Sequence, residues 1–219
     1  MPSDIRQKII DEFISMVEEG GFSKVRITAL IARLGINRNT FYYHFDGKLD
    51  IVLDILLDDL SPRLVQEFEP WELVNLDGQE YAAAPRRPYY ARSEIGAHAL
   101  DDGRFVKILV SCVLARKAYY RRIITPNEAD IMRMFFNLYL PAYENDVRLV
   151  LGGRYLPEET IGLLAKMGVH SLLAVVEHVL QLPDGSEPVD DDLNPFWNFY
   201  QESLSDAIRK HPVNRAARR

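Results

Sequence analysis

Apolar residues recur along this chain at intervals of three and four, the spacing that lines one face of an α-helix. Over residues 4–19 they fall at Ile5, Ile9, Phe13, Met16 and Val17, and Gly20-Gly21 then supplies a natural stop. Phe22 resumes the pattern, and Val25, Ile27, Leu30, Ile31 and Leu34 predict a second, shorter helix ended by Gly35. Asn37 suits the N-cap of a third helix, in which Phe41 and Phe45, four apart, face inward. Asp46-Gly47 breaks that helix. Lys48 begins a longer one whose buried stripe is Leu49, Val52, Leu53, Leu56, Leu57 and Leu60, with Pro62 expected to bend it near its end.

The pattern weakens over residues 69–92, which hold three of the twelve prolines and the cations Arg86, Arg87 and Arg92. Loop with short helical pieces is expected there. Helical spacing returns over 104–122, 127–151, 158–182 and 195–210, with Pro141 expected to kink the second of these. An acidic loop containing Asp190–Asp192 and Asn194 precedes the closing helix, where negative charge suits a helix N-terminus. No strand alternation, internal repeat or low-complexity tract competes. The chain reads as all-α.

Composition narrows the class without naming a function. The 47% hydrophobic and 26% charged residues are ordinary for a globular protein. No apolar run stands out as a membrane span, and the acid-bearing N-terminus lacks the apolar core of a signal peptide, so a cytoplasmic protein is expected. A single cysteine, Cys112, excludes an internal disulfide and any cysteine cluster for a metal. No paired carboxylates, nucleophile triad, phosphate loop or metal set stands out, so neither an enzyme nor a bound cofactor or metal is expected.

Charge sharpens the picture. The net charge is −6, yet Lys24 to Lys48 carries Lys24, Arg26, Arg33, Arg38 and Lys48 against the single acid Asp46. An acidic body repels phosphate and confines productive contact to one basic head. Within that head Arg38, Asn39, Thr40, Tyr42, Tyr43 and His44 crowd donors and aromatics onto one short helix. Two short helices around a turn at Gly35 make a helix-turn-helix, which offers the outer face of its second helix to the DNA major groove. Arg38 suits guanine and Asn39 adenine, while the Tyr42 ring suits a thymine methyl. Thr40, Tyr43 and His44 suit phosphates, as does Lys48 at the start of the next helix.

The spacing of these features resembles the N-terminal domain of the tetracycline-repressor (TetR) family. The residues that carry the resemblance are Gly21-Phe22, the helix around Leu30, Gly35-Ile36-Asn37, Thr40-Phe41-Tyr42-Tyr43-His44-Phe45 and Lys48, within about residues 5–55. Two positions depart from the family pattern. Arg26 stands where Thr or Ser often caps the second helix, and it offers phosphate a guanidinium instead. Ile31 replaces a usual small alanine. The resemblance adds Thr28 and Asn37 to the residues expected at DNA. It also implies the layout: a three-helix DNA-binding domain over 1–47, joined by a linking helix to a helical ligand-binding and dimerisation domain over 48–219.

In the resembled family the larger domain binds a small molecule and forms a homodimer. On that basis Trp71, His98, Cys112, Tyr119, Phe135, Phe136, Tyr139, Tyr143 and His170 are expected around a central cavity, although aromatics at helical spacing equally make ordinary core. The 158–182 helix is apolar nearly all round. Its Gly162, Ala165, Gly168, Leu172, Val176 and Val179, with Phe196, Trp197, Tyr200 and Leu204 of the last helix, are expected to form a two-fold interface. The basic run Arg116, Lys117, Arg121, Arg122 reads as a solvated face. The expected whole is a homodimeric regulator, a repressor rather than an activator, that reads a roughly palindromic operator in double-stranded DNA. A small effector would act by shifting the helix that begins at Lys48. A TetR-like regulator answering to a protein partner is the chief rival reading, and a helical enzyme a distant third.

Overall fold

The computed structural model describes residues 2–76, 87–96, 99–101, 103–184 and 203–206. Helices α1 (Pro2–Gly20), α2 (Ile27–Leu34) and α3 (Arg38–His44) form the head, and α4 (Lys48–Glu67) leads out of it. Ile9, Phe13, Val17, Leu30 and Phe41 are wholly buried, so the apolar stripes of the three head helices meet in one core. Gly35 ends α2 in the left-handed region at φ 63°, with its own N–H and that of Ile36 turned back onto the last carbonyls of the helix. A side chain at that position would be strained, which is why the turn needs glycine.

The expectation for 69–92 is corrected. Strand β1 (Leu73–Asn75) pairs antiparallel with β2 (Pro88–Ala91), Leu73 opposite Ala91 and Val74 opposite Tyr90. A second hairpin joins β3 (Ser93–Gly96) to β4 (Ala99–Asp101). Strands of three or four residues are too short to display a period of two. In β2, moreover, every residue is buried, so inward and outward positions do not alternate. Ser61 of α4 donates to the Pro88 carbonyl at 2.9 Å and seats this hairpin on the linking helix.

The body is completed by α5 (Gly103–Ala115), α6 (Lys117–Ile123), α7 (Ala129–Leu151) and α8 (Glu158–Gln181). The single helix expected over 104–122 is divided at Arg116, whose backbone (φ −126°, ψ 42°) leaves the helical region. Its guanidinium grips Asp59 of α4 through Nε at 3.0 Å and Nη2 at 2.8 Å. The next residue, Lys117, donates to the carbonyls of Leu182 and Pro183, satisfying orphan acceptors just beyond α8. Arg116 and Lys117 therefore bolt helices together, and only part of the basic run is a solvated face.

Between α7 and α8 the approach is close enough that a Cβ on Gly162 would lie 3.8 Å from a Glu144 side-chain oxygen. By length and hydropathy α8 meets the criterion for a membrane span, contrary to the reading of the sequence, but half of its most apolar window is buried against other helices. The buried half of its apolar surface is core. Of the closing helix, residues 203–206 are described and Leu204 is buried; His98, Phe196, Trp197 and Tyr200 lie outside the described residues.

A buried polar triad fastens β2 to α7. The Tyr90 hydroxyl donates to one oxygen of Asp146 at 2.5 Å, and Arg92 Nε meets the other at 2.7 Å. Burial nevertheless pushes the Asp146 carboxyl up to about 6, from an ordinary 3.8. A group bound more readily by protons in the folded state adds stability as pH falls from about 6 towards 4. Wild type is accordingly expected to gain urea stability over Asp146→Asn on going from about pH 7 to about pH 5. A difference that stays constant over that range would show that the carboxyl is not held above its ordinary value.

Beside this triad, between the β1–β2 hairpin and α7, lies an open-sided cavity of about 590 Å³. Residues of both elements line it, none of them among those expected around a pocket.

Candidate nucleic-acid interface

Helix α3 is short, and its placement rests on three devices. The Asn37 side chain accepts from the Thr40 N–H at 2.8 Å and caps the first turn. Phe41 (0% exposed) and Phe45 anchor the inner face, their rings 6.3 Å apart. The Phe45 N–H returns to the Phe41 carbonyl at 3.0 Å and closes the last turn. The outer face is left to polar groups: Asn37, Arg38, Asn39, Tyr42 and Tyr43 are exposed, and Thr40 and His44 are half-buried.

Arg38 and Tyr42, one turn apart, form a unit in which the guanidinium lies 5.4 Å from the ring centroid. Stacking restricts a long side chain before it meets DNA, so less ordering remains to be lost on binding. Tyr43 is 78% exposed and packs edge-on against His44 at 5.0 Å, where the sugar–phosphate flank of a groove would pass. Thr28 and Arg26 are also exposed, and Arg26 makes no side-chain cap for α2.

Two of the five cations between Lys24 and Lys48 are already engaged. Arg33 is held by Glu12 at 3.0 Å and Glu19 at 2.9 Å, which clamps α2 onto α1; hydrogen bonding to the two carboxylates raises its pKa further. Lys48 donates to the Phe22 carbonyl at 3.0 Å and lies 4.1 Å over the Phe22 ring, and burial lowers its pKa. Lys48 thus tethers α4 to the turn that follows α1. The cations standing out towards solvent are Lys24, Arg26 and Arg38, so the local positive charge is smaller and more concentrated than the count along the chain.

A connection that no local pattern signals joins head and body. Glu128, immediately before α7, accepts from both the N–H (3.1 Å) and the hydroxyl (2.5 Å) of Ser23, in the 3-10 turn of the head. On the opposite side Arg6 of α1 pairs with Asp54 and Asp58 of α4, and Arg87, just before β2, pairs with the same two acids. Head, linking helix, hairpin and α7 are therefore tied by charge-assisted bonds. Ser23 and Glu128 stand 105 residues apart, and only the fold brings them together.

The body residues expected around a pocket are distributed differently. Cys112, Tyr119, Phe135, Tyr139 and Tyr143 are all buried in close-packed core, where burial raises the Cys112 thiol to about 11 and leaves it inert. The hydroxyls of Tyr119 and Tyr139 are buried with no hydrogen-bond partner among the described residues. Phe136 stacks on the exposed His170 at 4.9 Å. Trp71 stands 80% exposed in the turn after α4, because Phe68 takes the inward position there.

Much of the face expected at the dimer interface is buried within the protomer. Ala165, Gly168, Leu172, Val176 and Val179 are buried within the protomer, and Gly162 faces α7. The small residues serve the approach of α8 to its own neighbours. Left outside, at helical spacing, are Leu163 (59% exposed), Met167 (54%), His170, Ser171, Ala174 and His178.

Comparison with known proteins agrees with the geometry of the head. The family model described as bacterial regulatory proteins, tetR family, matches residues 9–55, which run from the middle of α1 into α4. None of the curated proteins matches the chain. Among solved structures, the dihydroxyacetone kinase operon activator DhaS superimposes with a TM-score of 0.45 at 12% identity, over 93% of this chain and 96% of that one. With its capped α3, its glycine turn and the match over residues 9–55, the N-terminal part of the chain is a DNA-binding domain of the kind found in the tetR family of bacterial regulatory proteins.

Proposed function

We propose that this regulator is a cytoplasmic homodimer that represses by occupying a roughly palindromic operator, and that a small molecule held in the body alters its grip on DNA. The observation that carries the reading is the pre-stacked Arg38–Tyr42 pair on the solvent face of a helix whose other face is locked by Phe41 and Phe45. Residues 1–47 act as the reading head and 48–219 as the body. Arg38, Asn39 and Tyr42 read bases. Arg26, Thr28, Thr40, Tyr43 and His44 hold the backbone, with Asn37 fixing the helix that presents them. Lys48 positions the head.

Dimerisation uses the outer face of α8, where Leu163 and Met167 leave apolar surface between polar neighbours. A two-fold axis there sets two heads against two half-sites. The effector signal reaches the head through α7, whose leading Glu128 holds Ser23. A change at α7 then moves both heads and alters their fit to half-sites separated by whole helical turns.

Selection from a random duplex pool tests the reading. The recovered sequences are expected to be inverted repeats, and a Leu163→Glu/Met167→Glu variant is expected to sediment as a monomer. That variant should bind the full operator roughly 100-fold or more weakly, because the second half-site no longer adds to the first. Recovered sequences without symmetry, or a variant that remains dimeric, would refute the arrangement.

A further inference from the structure

We propose that the cavity between the β1–β2 hairpin and α7 is a binding site for a small amphipathic carboxylic acid that also carries a hydrogen-bond donor, such as a hydroxy or amino acid. The proposal deepens the effector reading above by naming the site and the ligand class, and its role as effector site rests on that reading. At about 590 Å³ the space is of the size that holds small organic ligands.

Three features of its walls define what fits. The first is Arg92. Its backbone N–H is fixed to the Glu72 carbonyl at 3.0 Å, its Nε to Asp146 at 2.7 Å, and its guanidinium lies 5.8 Å from the Tyr90 ring centroid. Those contacts hold the planar fork in place, while its two terminal nitrogens make no hydrogen bond among the described residues. Its Nε, though paired with Asp146, has no hydrogen-bond partner among the described residues, and the open edge of the fork matches a carboxylate, which accepts two parallel bonds. Among the described residues no acidic side chain lines the cavity to compete for it.

The second feature is a pair of acceptors without donors. Asn75 Oδ1 is buried and has no hydrogen-bond partner among the described residues. Pro141 has no N–H, so the Asn137 carbonyl one turn before it lacks its helical donor, and both residues line the same cavity. Asn137 is exposed, but the Asn75 oxygen is buried, and a buried acceptor left unpaired is unfavourable, so a ligand hydroxyl or ammonium gains by reaching it. The third is the apolar surface of Val74, Leu138 and Tyr89, which suits a hydrocarbon portion between the two polar ends.

This is a different place from the aromatic core of Cys112, Tyr119 and Tyr139, where the side chains close on one another. It is also built from the hairpin that the sequence pattern conceals.

Ligand-observed NMR and calorimetry on the full chain test the site with three matched probes: 4-hydroxyphenylacetate, phenylacetate and 4-hydroxyphenylacetamide. The hydroxy acid is expected to bind best, phenylacetate several-fold more weakly, and the neutral amide roughly tenfold or more weakly, since the open fork then meets no anion. Asn145 is exposed and lines the cavity, so Asn145→Trp should fill the mouth and abolish binding with the melting temperature unchanged. Equal binding of acid and amide, undiminished binding by Asn145→Trp, or no binding of any probe at millimolar concentration would overturn the proposal and leave a hydrated cleft. Operator affinity with and without the hydroxy acid is a separate reading. An unchanged value there refutes the effector role while the binding site stands.

Discussion

Arg38→Ala is expected to weaken operator binding roughly 10- to 100-fold, the loss of about 1–3 kcal/mol that accompanies removal of a bidentate contact to guanine. Arg38 is the first residue of α3 and exposed, and the contact recorded for it is the stack on Tyr42. Its removal therefore leaves the fold of the head intact, and the melting temperature is expected to stay where it was. Fluorescence anisotropy at one fixed salt concentration reads the effect, because phosphate contacts make every such affinity salt-dependent. The informative comparison is between the selected operator and a duplex in which the contacted guanine is exchanged. For wild type that exchange should be costly, and for Arg38→Ala nearly neutral. A loss equal across all sequences would instead assign Arg38 to phosphate and remove it from base reading.

Phe41→Ala, three residues on, is expected to do the reverse. Phe41 is 0% exposed and packs between Tyr42 at 5.2 Å and Phe45 at 6.3 Å. Truncating a buried phenylalanine destabilises by about 3–5 kcal/mol, against a total of about 5–15 kcal/mol for a whole domain. The head is small and Phe41 lies at its centre, so that loss should unfold it locally before the body. Hydrogen exchange is the suitable measurement. Amides of α1–α3 should lose protection while those of α7 and α8 keep theirs, and DNA binding should vanish for want of a presented helix. A Phe41→Ala head that remained within about 1 kcal/mol of wild type would mean that Phe41 is not the anchor of α3.

These two residues mark the limits of local reading. Residues one turn apart share a face of a helix, so Phe41 and Phe45 as core, and Arg38, Asn39 and Tyr42 as surface, follow from spacing alone. The same arithmetic misjudged α8. A helix that is apolar nearly all round has no face that spacing can single out, and Gly162 proved to face α7 within the protomer. The β1–β2 hairpin was hidden for a related reason, since four buried residues in a row carry no alternation. Lys48 and Arg33 counted as free cations along the chain. The fold commits them, the one to the Phe22 carbonyl and the other to Glu12 and Glu19.

The sequence by itself determined that the chain is mainly helical, where the helices of its head lie, and which of that head's side chains face inward and which face solvent. Each of those depends on residues within one or two turns of each other, and periodicity, caps and glycine turns record such relations directly. Tertiary structure alone decided that Ser23 meets Glu128, that Arg6 and Arg87 share Asp54 and Asp58, and that Arg92 is gripped by Asp146 beside an open cavity. Those partners lie tens to more than a hundred residues apart. Which distant charge neutralises which depends on how the helices pack, and no spacing along a chain encodes that.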